Sequence, residues 1–563
     1  MLKSYSTKKQ LLFFIIAFHS VVLFSQKSNS GIKVTFERKS NGSLIENQDP
    51  VVFYANQNNG WLTTEKRIST QLPTPFEENF IDYKNNNWFQ KATLKPSKEI
   101  VTLDSLSIGK QKFEILTDTK TILGYECHKA KIIVNSNTIE VWYTNELGFK
   151  GAPSILGQNL GFVLELNRNG NYQVLATKIE KIKKFPLQMN LPKPNQPKVD
   201  LLTYRDLLWK SRFVTLPLFK NGVINFSEES KSNDSIFRYA NGTIIVKKVR
   251  IPTIKNGSQL FVDVTEQSNG DAYDRTGSVF IIPKSSKISF LDGLKNGVAA
   301  LPIYENGNGK KYQGVVKTND YEPLLELMRF FTPFGVKKYN TIQLKNKVWQ
   351  DSVYYRQDIS EMNDLLSNQE VYIGMNIGNY DKGGHKVSLN LTLHPEEISK
   401  KTLQNIPLFN TNNIMEMAGQ EYGSMFNSEK GLEVKFTLTK PLKNARLRYI
   451  TTGHGGWENG DEFVPKKNSV FLDEKLAFAF VPWRQDCGSY RLSNPASGNF
   501  ENGLSSSDYS RSNWCPGTVT NPIFIDLGDL SAGEHNLRIQ IPLGANEGSS
   551  FSAWNVSGVL IGE

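Results

Sequence analysis

The stretch LEVKFTLTKPLKNARLRYI, residues 432–450, decides the fold class. Leu432, Val434, Phe436 and Leu438 alternate with polar residues, and Ala445, Leu447 and Tyr449 resume the pattern after an interruption. Side chains of an extended strand point to opposite faces in turn, so a period of two buries one face and leaves the other in water. The same period runs through Val387, Leu389, Leu391 and Leu393, and through Leu537, Ile539 and Ile541. Gly, Asn and Pro clusters separate the runs at short spacing, as in antiparallel sandwiches. Helical signals are few; SEMNDLLSN at 360–368 reads as one short helix. The chain is expected to be all-β.

At 563 residues the chain exceeds what one core organises, and about three domains are expected. Residues 1–25 read as a secretory signal: Lys3, Lys8 and Lys9 precede an apolar run at 11–24, with cleavage expected near Ser25. A β-rich domain is expected over 26–184. FPLQMNLPKPNQPKVD, residues 185–200, holds four prolines, which forbid a central strand and favour an extended connector. A second boundary falls near HPEEISKKTLQN at 394–405, giving strand-rich regions 201–394 and 395–563 of similar size. Two adjacent sandwiches preceded by a separate β-rich domain are the expected architecture.

The formal charge is +11, but the lysines are scattered. The densest run, KIEKIKK at 178–184, reads as the polar edge of a strand, so no nucleic-acid partner is expected. Tyr (21), Phe (33) and Trp (9) suit β-rich cores and sugar-binding surfaces alike. After the leader no run reaches the ~18 apolar residues of a spanning helix, so no membrane association is expected. Of three cysteines, Cys487 and Cys515 are expected to pair across a Ser/Asn/Gly-rich loop, a closure worth ~3 kcal/mol in the chain-entropy model. Cys127 is left as a buried thiol. The chain lacks CxxC, HExxH, GxSxG and GxxxxGK[ST] patterns, which argues against a metal site, a serine hydrolase and a phosphate-binding loop. ENGNGKK at 305–311 reads as a hairpin turn.

Paired carboxylates remain as the catalytic candidates. NGDAYDRTGSVFIIP, 269–283, places Asp271, Asp274 and Arg275 just before an apolar strand, where a rigid sheet can hold a reactive group. The alternative is a turn Asp beside a surface Arg. TTGHGGWENGDEFVPKKNSVFLD, 451–473, crowds His454, Trp457, Glu458, Asp461 and Glu462 into one glycine-rich loop. Mutual repulsion raises the pKa of crowded carboxylates and suits them to acid/base work, and Trp457 can stack on a sugar face. A solvated hairpin loop is the plain alternative. A third cluster, Trp483, Tyr490 and Trp514 around the cysteine loop, reads either as a cleft wall or as packing.

Five segments in order resemble the peptide-N-glycosidase F family: DAYDRTGSVFI (271–281), RFFTPFG (329–335), ARLRYITTGHG (445–455), GDEFVPKKNSVFLD (460–473) and NWCPG (513–517). The N-terminal segments ILTDTKTILGYECHKAKI, IEVWYTNELG and GAPSILGQNLGFVLELNRNGNYQVLATKIEKI resemble the GLPGLI family of exported Bacteroidetes proteins, a bowl-like domain found in longer glycosidase members.

The resemblance implies two eight-stranded jelly rolls and an amidase that hydrolyses the bond between asparagine and the first N-acetylglucosamine of N-glycans. It implies N-glycosylated proteins or glycopeptides as substrates, no metal or organic cofactor, a monomer, and a secreted or periplasmic location in a Bacteroidetes-type bacterium. Residue by residue, Asp274 matches the primary catalytic acid, Arg275 its substrate-binding neighbour and Glu462 the second acid. The family's third acid falls at Asn376, which cannot titrate; either that role is dispensable or a neighbour such as Asp381 supplies it. Tyr273, His454, Trp457 and Asp461 are the remaining candidates for substrate contact. Two alternatives stay open: a glycan-binding or adhesion protein on the same scaffold, and an endo-type glycoside hydrolase using the same carboxylates.

Overall fold

The computed structural model describes residues 30–563 except 70–72, 184, 186–190, 194, 285, 338–343, 456–458, 496–505 and 546–550. The expected leader at 1–25, Trp457 and much of the proline-rich connector lie outside the described residues. The chain divides into two compact units, 1–212 and 213–563.

The first unit is built on one antiparallel sheet of twelve strands, in which consecutive hairpins pair side by side. Its first long strand, Gly31–Ser40, lies mid-sheet between Val51–Ala55 and the last strand, Tyr172–Ile182. The part of KIEKIKK up to Ile182 therefore lies along an inner strand, with Lys178 and Lys181 exposed. Cys127 is a buried free thiol in the core. The expected boundary at 200 moves: residues Leu201–Ser211 form a helix that belongs to this unit. Asp200 caps it, accepting from Thr203 N at 2.9 Å, and Tyr204 and Leu208 pack on Ala92 and Leu94 of the sheet. The helical periodicity here is only two buried residues long, which hid it in the sequence.

The second unit is a pair of antiparallel jelly-roll sandwiches. In the first, the strands Val214–Ile224, His385–Glu397, Gly257–Ser268 and Val353–Asp358 form one sheet. The opposing sheet has six strands: Phe237–Tyr239, Ile244–Arg250, Glu370–Ile377, Thr276–Ile282, Leu325–Phe331 and the short Val519–Thr520. That last strand comes from the chain of the second sandwich, which lends an edge to the first. The second sandwich has two four-stranded sheets. One holds Gln404–Asn410, Ala553–Gly562, Leu442–His454 and Ile523–Leu530; the other holds Leu432–Leu438, Gly533–Gln540, Asn468–Leu472 and Lys475–Phe480. Leu432, Val434, Phe436 and Leu438 point into its core with Leu447, Tyr449, Leu537 and Ile539, as the period of two requires. The 360–368 segment is a single helical turn pair, Ser360–Met362 and Asn363–Leu366. Among the described residues no helix is long and apolar enough to cross a membrane.

The strand Leu325–Phe331 is buried at every position because one face meets its own core and the other meets the second sandwich. Its two charged residues are consequently paired. Arg329 binds Glu326 at 2.7 Å, then reaches across to Thr452 Oγ1 at 3.0 Å and Asn555 O at 2.7 Å. In the other direction, Arg448 of the second sandwich donates to Glu326 O at 2.8 Å and Leu327 O at 3.0 Å, and pairs with Glu361 at 2.7 Å. Burial alone would raise the Glu326 pKa, but the Arg329 charge and hydrogen bonds from Arg329, Ser557 and Asn412 outweigh it and hold it low. Removing one partner of such a buried pair strands the other charge away from water. Arg329→Met is expected to lower stability by about 3–5 kcal/mol, read as a shift of the urea midpoint.

Candidate active site

The loop bearing Asp271, Tyr273, Asp274 and Arg275 joins two strands of opposite sheets in the first sandwich. It is latched by the RFFTPFG segment. Arg275 N donates to Thr332 Oγ1 at 2.8 Å, Thr332 Oγ1 donates to Tyr273 O at 3.1 Å, and Thr332 N donates to Arg275 O at 2.9 Å. Thr332 is fully buried, so water does not compete for these bonds. Gly277 follows because a Cβ there would fall 2.2 Å from the Phe330 ring on the paired strand.

Glu462 comes from the turn after the strand Leu442–His454. Gly455 turns the chain with a φ of +77°, where an added Cβ would meet Phe551 O at 2.1 Å. Ser512 N donates to Glu462 O at 2.9 Å, which ties this turn to the segment approaching Cys515. That segment is anchored by the Cys487–Cys515 disulfide, by Trp514 Nε1 donating to Gly453 O at 2.9 Å and by Asn513 Nδ2 donating to Thr451 O at 2.9 Å.

Arg511 then joins the two acids. Its Nη2 lies 3.0 Å from Asp274 Oδ2, and its Nη1 donates to Glu462 Oε1. The guanidinium is fully buried, with its carbon 4.2 Å from the centre of the Trp514 ring. One acid from each sandwich thus meets a single cation. Burial raises the pKa of Asp274, while the Arg511 charge pulls it down. Burial also raises that of Glu462; Arg511 lowers it and the Asp274 charge raises it again. Both carboxyls stand above their ordinary range because one guanidinium cannot neutralise two buried carboxylates.

Asp274 and Arg275 also line a cavity of about 240 Å³, with Asn376, Tyr380, Glu416 and Tyr422 among its walls. Asn376 stands in this wall with its amide donating to Thr243 O at 3.1 Å. Asp381 is not among the wall residues: its Oδ1 accepts from Gly383 N and Gly384 N at 2.7 Å each and caps a turn. Besides Asp274, the carboxylate lining this cavity is Glu416, on the one-turn helix Glu416–Ala418 of a long inter-strand loop.

Other candidates lie elsewhere. Tyr273 is exposed, with the Arg275 guanidinium 5.0 Å over its ring. His454 does not line this cavity; its ring stacks near Phe331 and Trp514, and Nε2 meets Thr452 Oγ1 at 2.8 Å. Burial, then the Arg329 and Arg511 charges, push its pKa down to about 3, so it is neutral. Asp461 is fully buried on the inner side of the second sandwich, where Trp554 Nε1 donates to Oδ2 at 2.8 Å and Gly544 N to Oδ1 at 3.0 Å. Its neighbour Glu462 pairs instead with Arg511, from a hydrogen-bonded turn closed by Phe463 N and Val464 N on Gly460 O. Arg511 and Glu416 had escaped the sequence reading. Arg511 lies two residues before the start of the quoted NWCPG segment; Glu416 carries no motif.

The fold and this site define a double jelly-roll protein in which each sandwich contributes one carboxylate to a shared buried arginine beside a polar cavity. Family models match three consecutive stretches: the N-glycanase peptide N-terminal domain at 34–206, the peptide-N-glycosidase F N-terminal domain at 215–393 and its C-terminal domain at 421–561. The chain belongs to the peptide-N-glycosidase F family. Among solved structures, PNGF-II is 56% identical, with 95% of this chain and 98% of that chain covered at a TM-score of 0.87. A second crystal form of PNGF-II matches with the same identity over 95% of this chain and 99% of that chain, at 0.88. A comparison with curated proteins gave no match.

The charge imbalance has a thermodynamic consequence. An acid whose folded pKa is raised leaves stability intact at pH below its unfolded pKa and lowers it as pH rises through the folded value. Asp274→Asn or Glu462→Gln leaves one carboxylate facing one guanidinium. Each single variant is expected to melt above the parent at neutral pH, with the gain vanishing in acid. The double variant strands Arg511 and is expected to melt below both singles. Thermal unfolding followed across pH checks the ordering.

Proposed function

We propose that this protein is a peptide-N-glycosidase that hydrolyses the amide between asparagine and the first N-acetylglucosamine of N-glycans. Supporting this reading is family membership together with one observation: Asp274 and Glu462, from different sandwiches, bind one buried arginine beside a polar cavity. In the reaction, water adds to the side-chain carbonyl carbon and the carbon–nitrogen bond breaks. The nitrogen takes a proton and leaves as a glycosylamine, which then loses ammonia; asparagine becomes aspartate. An amide nitrogen is a poor leaving group until it is protonated, so the site needs a carboxyl that keeps its proton above the usual range. Asp274, on the cavity wall, handles the proton at the scissile amide. Glu462 holds the first sugar and an ordered water. Arg275 holds peptide or sugar oxygens, and Arg511 limits the repulsion between the two acids.

Export to the periplasm or beyond belongs to the same reading, supported by the charged and apolar residues at 1–25 and by the disulfide. Asp274→Asn preserves volume, so it is expected to abolish glycan release while the fold persists, checked by mass spectrometry of a glycopeptide and by circular dichroism. Full activity in that variant would remove Asp274 from the central role. Product mass also separates the reaction classes, since an endo-type hydrolase leaves one N-acetylglucosamine on the peptide. Glu416, exposed at the cavity, accepts hydrogen bonds from sugar hydroxyls in this scheme. Glu416→Gln is expected to raise KM about three- to tenfold with kcat little changed, the loss of one charge-assisted bond at a wet site.

A further inference from the structure

We propose that His385, buried in the four-stranded sheet of the first sandwich, is a positioning residue that acts through Asp271 to hold the Arg275 guanidinium at the cavity wall. The proposal rests on the peptide-N-glycosidase reading for its kinetic consequences, though not for its geometry.

Four charged side chains form one line. Glu266 Oε1 lies 2.8 Å from His385 Nδ1, and His385 Nε2 lies 3.4 Å from Asp271 Oδ2. The same Asp271 Oδ2 accepts from Arg275 Nε at 2.7 Å, and Oδ1 accepts from Arg275 Nη2 at 3.2 Å. Glu266, His385 and Asp271 are all buried. The groups facing His385 are these two carboxylates; behind them stand Arg275 on Asp271 and Tyr355, whose hydroxyl lies 3.5 Å from Glu266 Oε2.

Both flanking carboxylates only accept, so the imidazole must donate from both nitrogens. A neutral ring donates from one and turns a lone pair toward an anion. The imidazolium also balances the count: two anions, two cations. Burial disfavours this cation, but its hydrogen bonds to Asp271 and Glu266 and their charges outweigh that cost, and the pKa rises to about 9. For Asp271, burial is likewise outweighed by His385 and Arg275, and its pKa falls to about 2. Asp271 occupies the Nε edge of Arg275. Among the described residues the Nη1 edge makes no hydrogen bond within the protein, and Arg275 lines the cavity. A ligand oxygen met by that edge is met by a guanidinium whose rotation is already stopped, which lowers the entropy lost on binding.

The sign of the pH effect follows from the raised pKa. The His385 contribution is complete below the ordinary histidine range and is lost as pH rises through about 9.

The test uses the full chain and a glycopeptide. His385→Gln is expected to raise KM about tenfold with kcat little changed, and to add nothing further in an Arg275→Ala background. A parental KM in His385→Gln, or an equal rise in both backgrounds, would overturn the proposal, because general loosening does not need Arg275. If His385→Gln fails to fold, the parent and Arg275→Ala decide: KM should climb past pH about 9 only in the parent, and identical profiles count against the proposal. If the parent releases no glycan, the glycosidase reading fails by itself. The Arg275 Nε–H resonance in nitrogen-labelled protein then reads positioning directly: protected from solvent exchange in the parent, unprotected in His385→Gln or, where that variant does not fold, above pH about 9. Unchanged protection overturns the proposal.

Discussion

The seam between the two sandwiches is held by exchanged arginines, and the site exists only because that seam is rigid. Arg329 leaves the first sandwich to bind the second, and Arg448 returns the contact to the backbone of the first. Apolar packing would hold the halves together but would tolerate sliding. Directional bonds to specific carbonyls do not, because a small shift leaves buried charges without partners. Asp274 and Glu462 sit on opposite sides of this seam, so their approach to one guanidinium inherits its precision.

The site itself is built with too little positive charge. Arg511 is positioned by the disulfide-anchored segment and by the Trp514 ring, neither of which belongs to the acid pair. That separation lets the acids be strained electrostatically while the backbone around them remains satisfied by Thr332, Ser512 and Gly455. Natural sites often trade stability for function in this manner. The Glu266–His385–Asp271–Arg275 line is the opposite case: its charges balance, and it serves rigidity.

Much of the fold was legible because strands of a sandwich repeat every two residues. The strand at 432–438 and the one around 387–393 carry that signal undiluted. Leu325–Phe331 does not, since burial on both faces erases alternation and admits paired Glu326 and Arg329. The helix at 201–211 was missed because only Tyr204 and Leu208 mark its inner face. Of the site, Asp274 and Glu462 stood out through neighbouring glycines and a family pattern. Arg511 acquires meaning only from partners 49 and 237 residues away and His385 from partners 119 and 114 residues away, and no spacing rule reaches that far; Glu416 carries no motif at all. Asp461 and Glu462 illustrate the limit at its finest: adjacent acids of equal promise, one turned to Trp554 and the other to Arg511.

The strand Val519–Thr520 completes the sheet edge beside Leu325–Phe331 with chain that belongs to the second sandwich. Unpaired sheet edges invite association with other chains. The first sandwich by itself would present such an edge, and an apolar one. The two sandwiches are therefore not independent cassettes. Recombination that moved one without the other would carry an aggregation hazard into its new host, so inheritance of the pair as a single block is favoured by folding before any selection on catalysis.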